Sequence, residues 1–344
     1  MSTSRTPDSA LTKFLTAMSS IYGPFPTLED AVSTWTPPPM AEGHRGRYLW
    51  TDGFAVVNFL TLYRVTSNPL YLELGKRLIA TVHDTLGKAR DLSARLPGAT
   101  DANPLRGGLR IGKVDDEDDP DEDGDGQYFH YLTIWMFALN RTAVVTGDAW
   151  YNDQAIELAQ TVLIGKFLIN PESPRPRMFW KMSIDLSKPA VSSEGNLDPI
   201  DGYVVYKLLQ KTNGGKGLEK ELEALKKIVN AKWRDYSSTD PLDLGMTLWT
   251  AHLIKDDEGE EWAKAITRKA MACLRRLVDD KSYFERPTSR RLAFREFGTA
   301  LGVRCLGHLA REWEVGRLAD DITRDWETYG LVPEPTPEKK KAIQ

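Results

Sequence analysis

Five times along the chain an acidic side chain stands beside or near a glycine, at the point where a polar stretch gives way to an apolar helical run. The phrases are Thr51-Asp52-Gly53-Phe54, Asp125-Gly126-Gln127-Tyr128, Ile200-Asp201-Gly202-Tyr203, Leu242-Asp243-Leu244-Gly245 and Arg295-Glu296-Phe297-Gly298. If the helices they open stand side by side, the carboxylates gather at one mouth. Crowded carboxylates raise one another's pKa, so one stays protonated while another ionises, the two states that glycosidic cleavage requires. Asp125 as acid and Asp201 as base form the leading pair, with Asp52 third, and Asp243 and Glu296 are expected to face substrate. A competing reading is local. Asp198-Pro199-Ile200-Asp201 and Asp240-Pro241-Leu242-Asp243 each read as Asp at the N-cap, Pro at the first helical position and Asp at the third. Such carboxylates satisfy orphan N–H groups and complement the helix dipole whatever the protein does.

Other reactive side chains cluster near the same helix starts. His130 follows Tyr128 one turn into the second of these helices; with His44 and His252 it offers proton transfer at carbon, the chemistry of a sugar epimerase or isomerase. His83 and His308 lie deeper in helical patterns and read as structural. Arg45 beside His44, and Arg110 and Lys113 before the acidic loop, either neutralise the mouth or hold an anionic group by charge-assisted hydrogen bonds. Trp50 and Trp180, ahead of Trp249, are expected as platforms for a sugar ring.

The run from Asp115 to Asp125 permits three readings. Asp119, Asp121, Asp123 and Gly124 fit the first positions of a calcium loop, but His130 stands where a bidentate Glu is needed. Asp115 to Asp119 resembles the aspartate-rich magnesium-diphosphate motif of terpene synthases, although Pro120 and Gly124 interrupt a helix there. A solvated rim loop is the favoured reading, and no metal or other cofactor is expected: the chain shows no phosphate-cradling loop, no Ser/His/Asp constellation and no His/Cys metal spacing.

Composition narrows the class. A net charge of −4 over 344 residues, with no basic stripe interleaved with aromatics, argues against a nucleic-acid partner. No apolar run approaches the roughly 18 residues that span a bilayer, and Met1-Ser2-Thr3-Ser4-Arg5 lacks a signal core, so a cytoplasmic chain without a membrane partner is expected. Cys273 and Cys305 read as buried reduced thiols, and the sequon at Asn140, inside a helix, reads as chance.

The elements that must position these residues are helical hairpins. After a lead-in helix over Leu11–Ile21, pairs are predicted over Asp52–Leu86, Gln127–Phe167, Asp198–Trp233, Asp240–Leu277 and Arg291–Tyr329. Breaks fall at Thr66–Pro69, Thr146–Asp148, Asn213–Gly215, Asp256–Gly259 and Glu312–Gly316. Between the second and third pairs, Met178–Met182 reads as a short strand or a loop over the mouth. The first helix of each pair is apolar on several faces, as in Phe54–Leu60, whereas the second is one-sided, as in Glu219–Lys227; inner and outer helices follow. A single all-α domain over residues 1–331 is predicted, with a disordered tail over 332–344.

Trp50-Thr51-Asp52-Gly53-Phe54, Leu62-Tyr63, Thr66 and Tyr71 together resemble the hairpin phrase of the six-hairpin glycosidase superfamily, nearest to unsaturated glucuronyl hydrolases. Ala138, Thr146-Gly147-Asp148, Tyr151 and Ala155 echo its inter-helix phrase. The resemblance implies an (α/α)6 toroid, an acid carboxylate paired with a second carboxylate at the inner-helix N-termini, and Asp125 nearest the family's general acid. Counted back from Ala138, that acid's position falls on Gln127. The fold and the carboxylate logic carry over, and the uronide substrate does not. The expected function is a glycoside hydrolase acting on a small saccharide, neutral or anionic; a sugar epimerase, or a toroid that binds a carbohydrate without turnover, stands beside it.

Overall fold

The computed structural model describes residues 7–39, 46–117, 124–279, 282–307, 309–312 and 315–330; at 7–9 and 312 only the backbone is described. The lead-in helix α1 spans Pro7–Tyr22 and a short α2 spans Leu28–Ser33, which the sequence pattern did not separate from the proline-rich lead-in. Five longer pairs follow: α3 (Leu49–Thr66) with α4 (Pro69–Thr85), α5 (Phe129–Thr146) with α6 (Ala149–Val162), α7 (Asp198–Thr212) with α8 (Glu219–Lys232), α9 (Pro241–His252) with α10 (Glu261–Asp279), and α11 (Ala293–Cys305) with α13 (Leu318–Thr328). A single turn, α12 (Leu309–Glu312), lies within the last pair. The chain is therefore all-α in class, and each predicted pair is present.

The breaks between paired helices have chemical causes. Ser67, at φ 56°, ends α3 in the left-handed region, after which Asn68 accepts a hydrogen bond from Leu70 N at 3.0 Å and Pro69 opens α4. Gly147 ends α5 at φ 73°, and Asp148 caps α6 by accepting from Trp150 N at 3.0 Å. The difference between first and second helices holds. Buried side chains occupy every face of α5 through Leu132–Asn140, whereas α10 buries one stripe, Trp262, Ala263, Ile266, Thr267, Ala270 and Leu274 among it, and exposes Lys264, Arg268, Ala272, Arg275 and Arg276 on the other side.

Each first helix packs on its own second helix and on the first helix of its neighbour: α3 on α5, α5 on α7, and α9 on α11, with a smaller contact between α7 and α9. The α9–α11 seam is the tightest. A Cβ at Gly302 would stand 2.1 Å from the Gly245 carbonyl oxygen, and one at Gly245 would stand 2.2 Å from that of Gly298, so the two backbones meet where only glycine fits. At the other end of the chain, α1 touches both termini of the series. Tyr22 donates to Asp52 of α3 at 2.9 Å, and Lys13 pairs with Glu327 of α13 at 2.6 Å.

Between α6 and α7 the irregular segment contains the predicted short strand. β2 (Leu168–Ile169) pairs antiparallel with β3 (Arg177–Met178), and β4 (Lys181–Met182) pairs antiparallel with β1 (Gln127–Tyr128) at the entrance of α5. Phe129 N donates to the Trp180 carbonyl at 3.0 Å, which fixes Trp180 over that entrance. Deep in the core, Trp135 donates to His83 Nε2 at 3.2 Å; burial pushes this histidine's pKa down to about 3, which agrees with its structural reading. Asn140 is fully buried and donates to Asn152 and Thr212, so the sequon is no glycosylation site in the fold. Both cysteines are free, Cys273 buried and Cys305 partly so. Among the described residues no helix is long and apolar enough to cross a membrane.

Candidate functional site

The first turns of α7 and α9 open into a cavity of about 330 Å3. Asp198 and Asp201 from α7, and Asp240 and Asp243 from α9, supply its acidic floor. Trp50 from the start of α3, His130 from the start of α5 and Trp180 from the strand segment line it as well. They belong to a continuous aromatic surface. The Trp50 ring lies 5.7 Å from that of His130 and 5.1 Å from that of Tyr131, His130 stacks on Tyr128 at 5.5 Å, and Tyr128 meets Trp180 at 5.2 Å. Trp180 is held by donating to Ser193 Oγ at 2.9 Å.

The two Asp-Pro-x-Asp phrases, alike in sequence, fold in different frames. At α9 the expectation holds: Asp240 is the N-cap, accepting from Leu242 N at 2.8 Å, and Pro241 is the first helical residue. At α7 the helix begins one residue earlier, so Leu197 occupies the cap and Asp198 is the first helical residue. The Asp198 carboxylate is thereby released from capping. It is 6% exposed, its Oδ1 makes no hydrogen bond, and His130 Nδ1 lies 3.4 Å from that oxygen.

Asp201 sits one turn further in, accepting from Thr250 Oγ1 of α9 at 2.6 Å. Burial, reinforced by the charges of Asp198 and Asp243 and only partly offset by the Thr250 hydrogen bond, holds its pKa well above the usual carboxylate range. Asp243 accepts from Tyr236 and Asn196, each at 3.3 Å, and burial together with the Asp198 charge raises its pKa as well. The cavity thus holds carboxyl groups among which Asp201 is shifted towards its protonated form by burial, the direction asked of a general acid.

The remaining expected site residues lie elsewhere. Asp125 precedes α5 rather than opening it; it is fully buried and accepts from Arg110 Nη1 at 2.7 Å, Arg90 Nη1 at 3.2 Å and Gly112 N at 3.0 Å. It does not line the cavity, whereas Asp201, its expected partner, does. The function of Asp125 is to pin the two ends of the acidic loop, because Arg90 also binds Asp116 and the carbonyls of Lys113 and Asp115. Arg110, 0% exposed and also donating to the Lys88 and Thr85 carbonyls, is spent on the same task. Lys113 donates to Tyr128 OH at 3.0 Å, behind the aromatic wall. Neither cation is placed to hold an anionic substrate in the cavity.

Asp52 is buried between Tyr22 and Arg47, with its pKa pushed up to about 6 mainly by burial. Glu296 is gripped by Arg291 at 2.8 and 2.6 Å and by Trp326 at 2.9 Å. Both are enclosed supports at helix starts. His252 belongs to the last turn of α9, nine residues and roughly 13 Å along the axis from Asp243, with its ring on the Trp249 carbonyl; it is not a histidine of this mouth. Trp249 packs on Phe137 at 5.1 Å. His44, Arg45, His308 and residues 118–123 of the acidic loop lie outside the described residues. Among those described, no cluster of His, Cys, Asp or Glu could hold a metal ion.

Sequence reasoning passed over Asp198 as a cap and missed Thr250, Tyr236 and Asn196 altogether. The one available signal was the repeated Asp-Pro-x-Asp phrase; its difference in frame depends on what precedes each helix in space. Neither a model of a known protein family nor a curated protein matches the chain.

Proposed function

We propose that the protein is a glycoside hydrolase-like enzyme acting on a small saccharide. The observation that carries this reading is the convergence of Asp198, Asp201 and Asp243 on a cavity lined by Trp50 and Trp180, with burial raising the Asp201 pKa well above the usual carboxylate range. An apolar sugar face rests on the indole wall, and the glycosidic oxygen faces the carboxyl floor. Asp201 gives its proton to the leaving oxygen as the bond from that oxygen to the anomeric carbon breaks. Water adds to the same carbon and its proton passes to Asp198, whose Oδ1 has no donor bound to it.

The helix contacts support an (α/α)6 ring as the scaffold, in one domain. α3, α5, α7, α9 and α11 adjoin in chain order, their partners pack behind them, and α1 joins α13 to α3 as the closing member. In this reading the cavity lies at the N-terminal mouth of the ring. A second reading, an epimerase, is favoured by one observation: His130 faces the cavity with its Nδ1 near Asp198. Incubation of a saccharide panel with wild type, Asp201→Asn and His130→Ala decides between them. New reducing ends lost in Asp201→Asn support hydrolysis, inversion at carbon lost in His130→Ala supports the epimerase, and binding without any product supports a sugar-binding role.

A further inference from the structure

Five carboxylates line the cavity, and among the described residues only two of them have an arginine or lysine to neutralise them. Glu194 meets Arg177 at 3.3 Å, and Asp240 is paired with Arg295. Asp198, Asp201 and Asp243 form no ion pair with any Lys or Arg among the described residues. Lys232, close by in the wall, is committed to the Gly195 carbonyl at 2.8 Å. Asp198 adds an independent sign: a carboxylate more than nine-tenths buried, on the cavity wall, with an oxygen that accepts no hydrogen bond although His130 Nδ1 stands 3.4 Å from it. A buried acceptor left in this state is costly, and a donor from a ligand would recover that cost. Trp50 and Trp180 line the same cavity, and an indole face attracts cations and repels anions. Among the described residues that line the cavity, a uronate or phosphate would meet carboxylates and no Lys or Arg.

We propose that the ligand of this cavity is an amino sugar, a saccharide with a protonated amine, whose ammonium group donates to Asp198 and Asp243 while its ring rests on the tryptophan wall. The inference rests on the reading of the cavity as a saccharide site and adds the charge of the substrate. An ammonium is matched to the floor in both sign and hydrogen-bond role, since it carries three donors and no acceptor. Charge-assisted hydrogen bonds to a desolvated carboxylate are stronger than neutral ones, so the protonated amine should improve affinity about tenfold or more over its neutral counterpart.

The test is calorimetric titration of the full chain at about pH 6, where a sugar amine is protonated, with glucosamine oligosaccharides, their N-acetylated and hydroxyl counterparts, uronate oligosaccharides and choline. The expected result is binding of the glucosamine oligosaccharide at least about tenfold tighter than either neutral counterpart, with the preference lost in Asp198→Asn and in Asp243→Asn. Two variants on separate helices guard against misfolding of one, and circular dichroism confirms each. Equal or tighter binding of the neutral or uronate sugars would overturn the amino-sugar inference and leave the saccharide reading standing. Binding of choline but of no sugar would overturn the saccharide reading and, with it, the amino sugar. Binding of none of the probes would overturn both.

Discussion

Replacing Asp201 by Asn tests the protonated carboxyl without any knowledge of the substrate. Asn has nearly the same shape and keeps an oxygen for the Thr250 hydroxyl, so the 2.6 Å hydrogen bond survives while the ionisable group disappears. In the unfolded chain an Asp ionises near pH 4, whereas in the fold Asp201 holds its proton to a much higher pH because it is buried and faces Asp198 and Asp243. The folded state therefore binds about one proton more than the unfolded state across that window. The sign follows from linkage: stability is fully present below the unfolded pKa and falls as pH rises towards the folded one. One proton corresponds to about 1.4 kcal/mol per pH unit, so the advantage of Asp201→Asn over wild type should widen at about that rate from roughly pH 4 upward. Some of the slope is shared with Asp243, which titrates in the same field, so it belongs to the pair. Urea unfolding of both proteins at half-unit pH steps measures it. Parallel stability curves, or a variant that loses stability with rising pH relative to wild type, would refute the electrostatic reasoning.

Asp125→Asn should act in the opposite direction, losing about 3–5 kcal/mol at neutral pH because Arg110 is left buried without its counter-charge; chemical denaturation of the two Asn variants side by side compares the signs. Gly302→Ala places a methyl 2.1 Å from the backbone of α9, which cannot yield as a side chain would, and should cost about 3 kcal/mol or more in the same assay; a neutral result would mean that α9 and α11 are further apart than described here. Asp52, pushed up to about 6 from an ordinary 3.8, makes wild-type stability fall as pH rises through that interval, by about 3 kcal/mol for this group, and level off above it; Asp52→Asn should remove this part of the pH dependence in a melting series. Trp180→Ala removes part of the cavity wall while the backbone pairing of β1 with β4 remains, so KM should rise about tenfold with little change in melting temperature.

The hairpins were legible because their signals are local. Thr66-Ser67-Asn68-Pro69 and Thr146-Gly147-Asp148 stop one helix and cap the next through neighbours in the chain, and the apolar character of α5 against the one-sided α10 reports burial directly. Carboxylates at helix starts were legible in type but not in role. Asp52, Asp125 and Glu296 are each met by an arginine or tyrosine that the fold brings in, and a sequence shows no sign that Arg110 will turn inward onto Asp125 or Arg291 onto Glu296. The release of Asp198 from capping depends on a one-residue shift in where α7 begins, and helix boundaries are the least certain part of any sequence reading. Trp50, Trp180 and His130 line one cavity, and their nearness was legible because each adjoins a helix start or the strand segment between α6 and α7.

The most direct test of the central claim, that Asp201 is the acid of a saccharide-cleaving site, is proton NMR of amino, neutral and uronate oligosaccharides incubated with wild type and with Asp201→Asn. The account predicts new reducing-end anomeric signals with wild type and none above background with the folded Asn variant. Undiminished cleavage by Asp201→Asn, or no cleavage of any oligosaccharide by wild type, would contradict it.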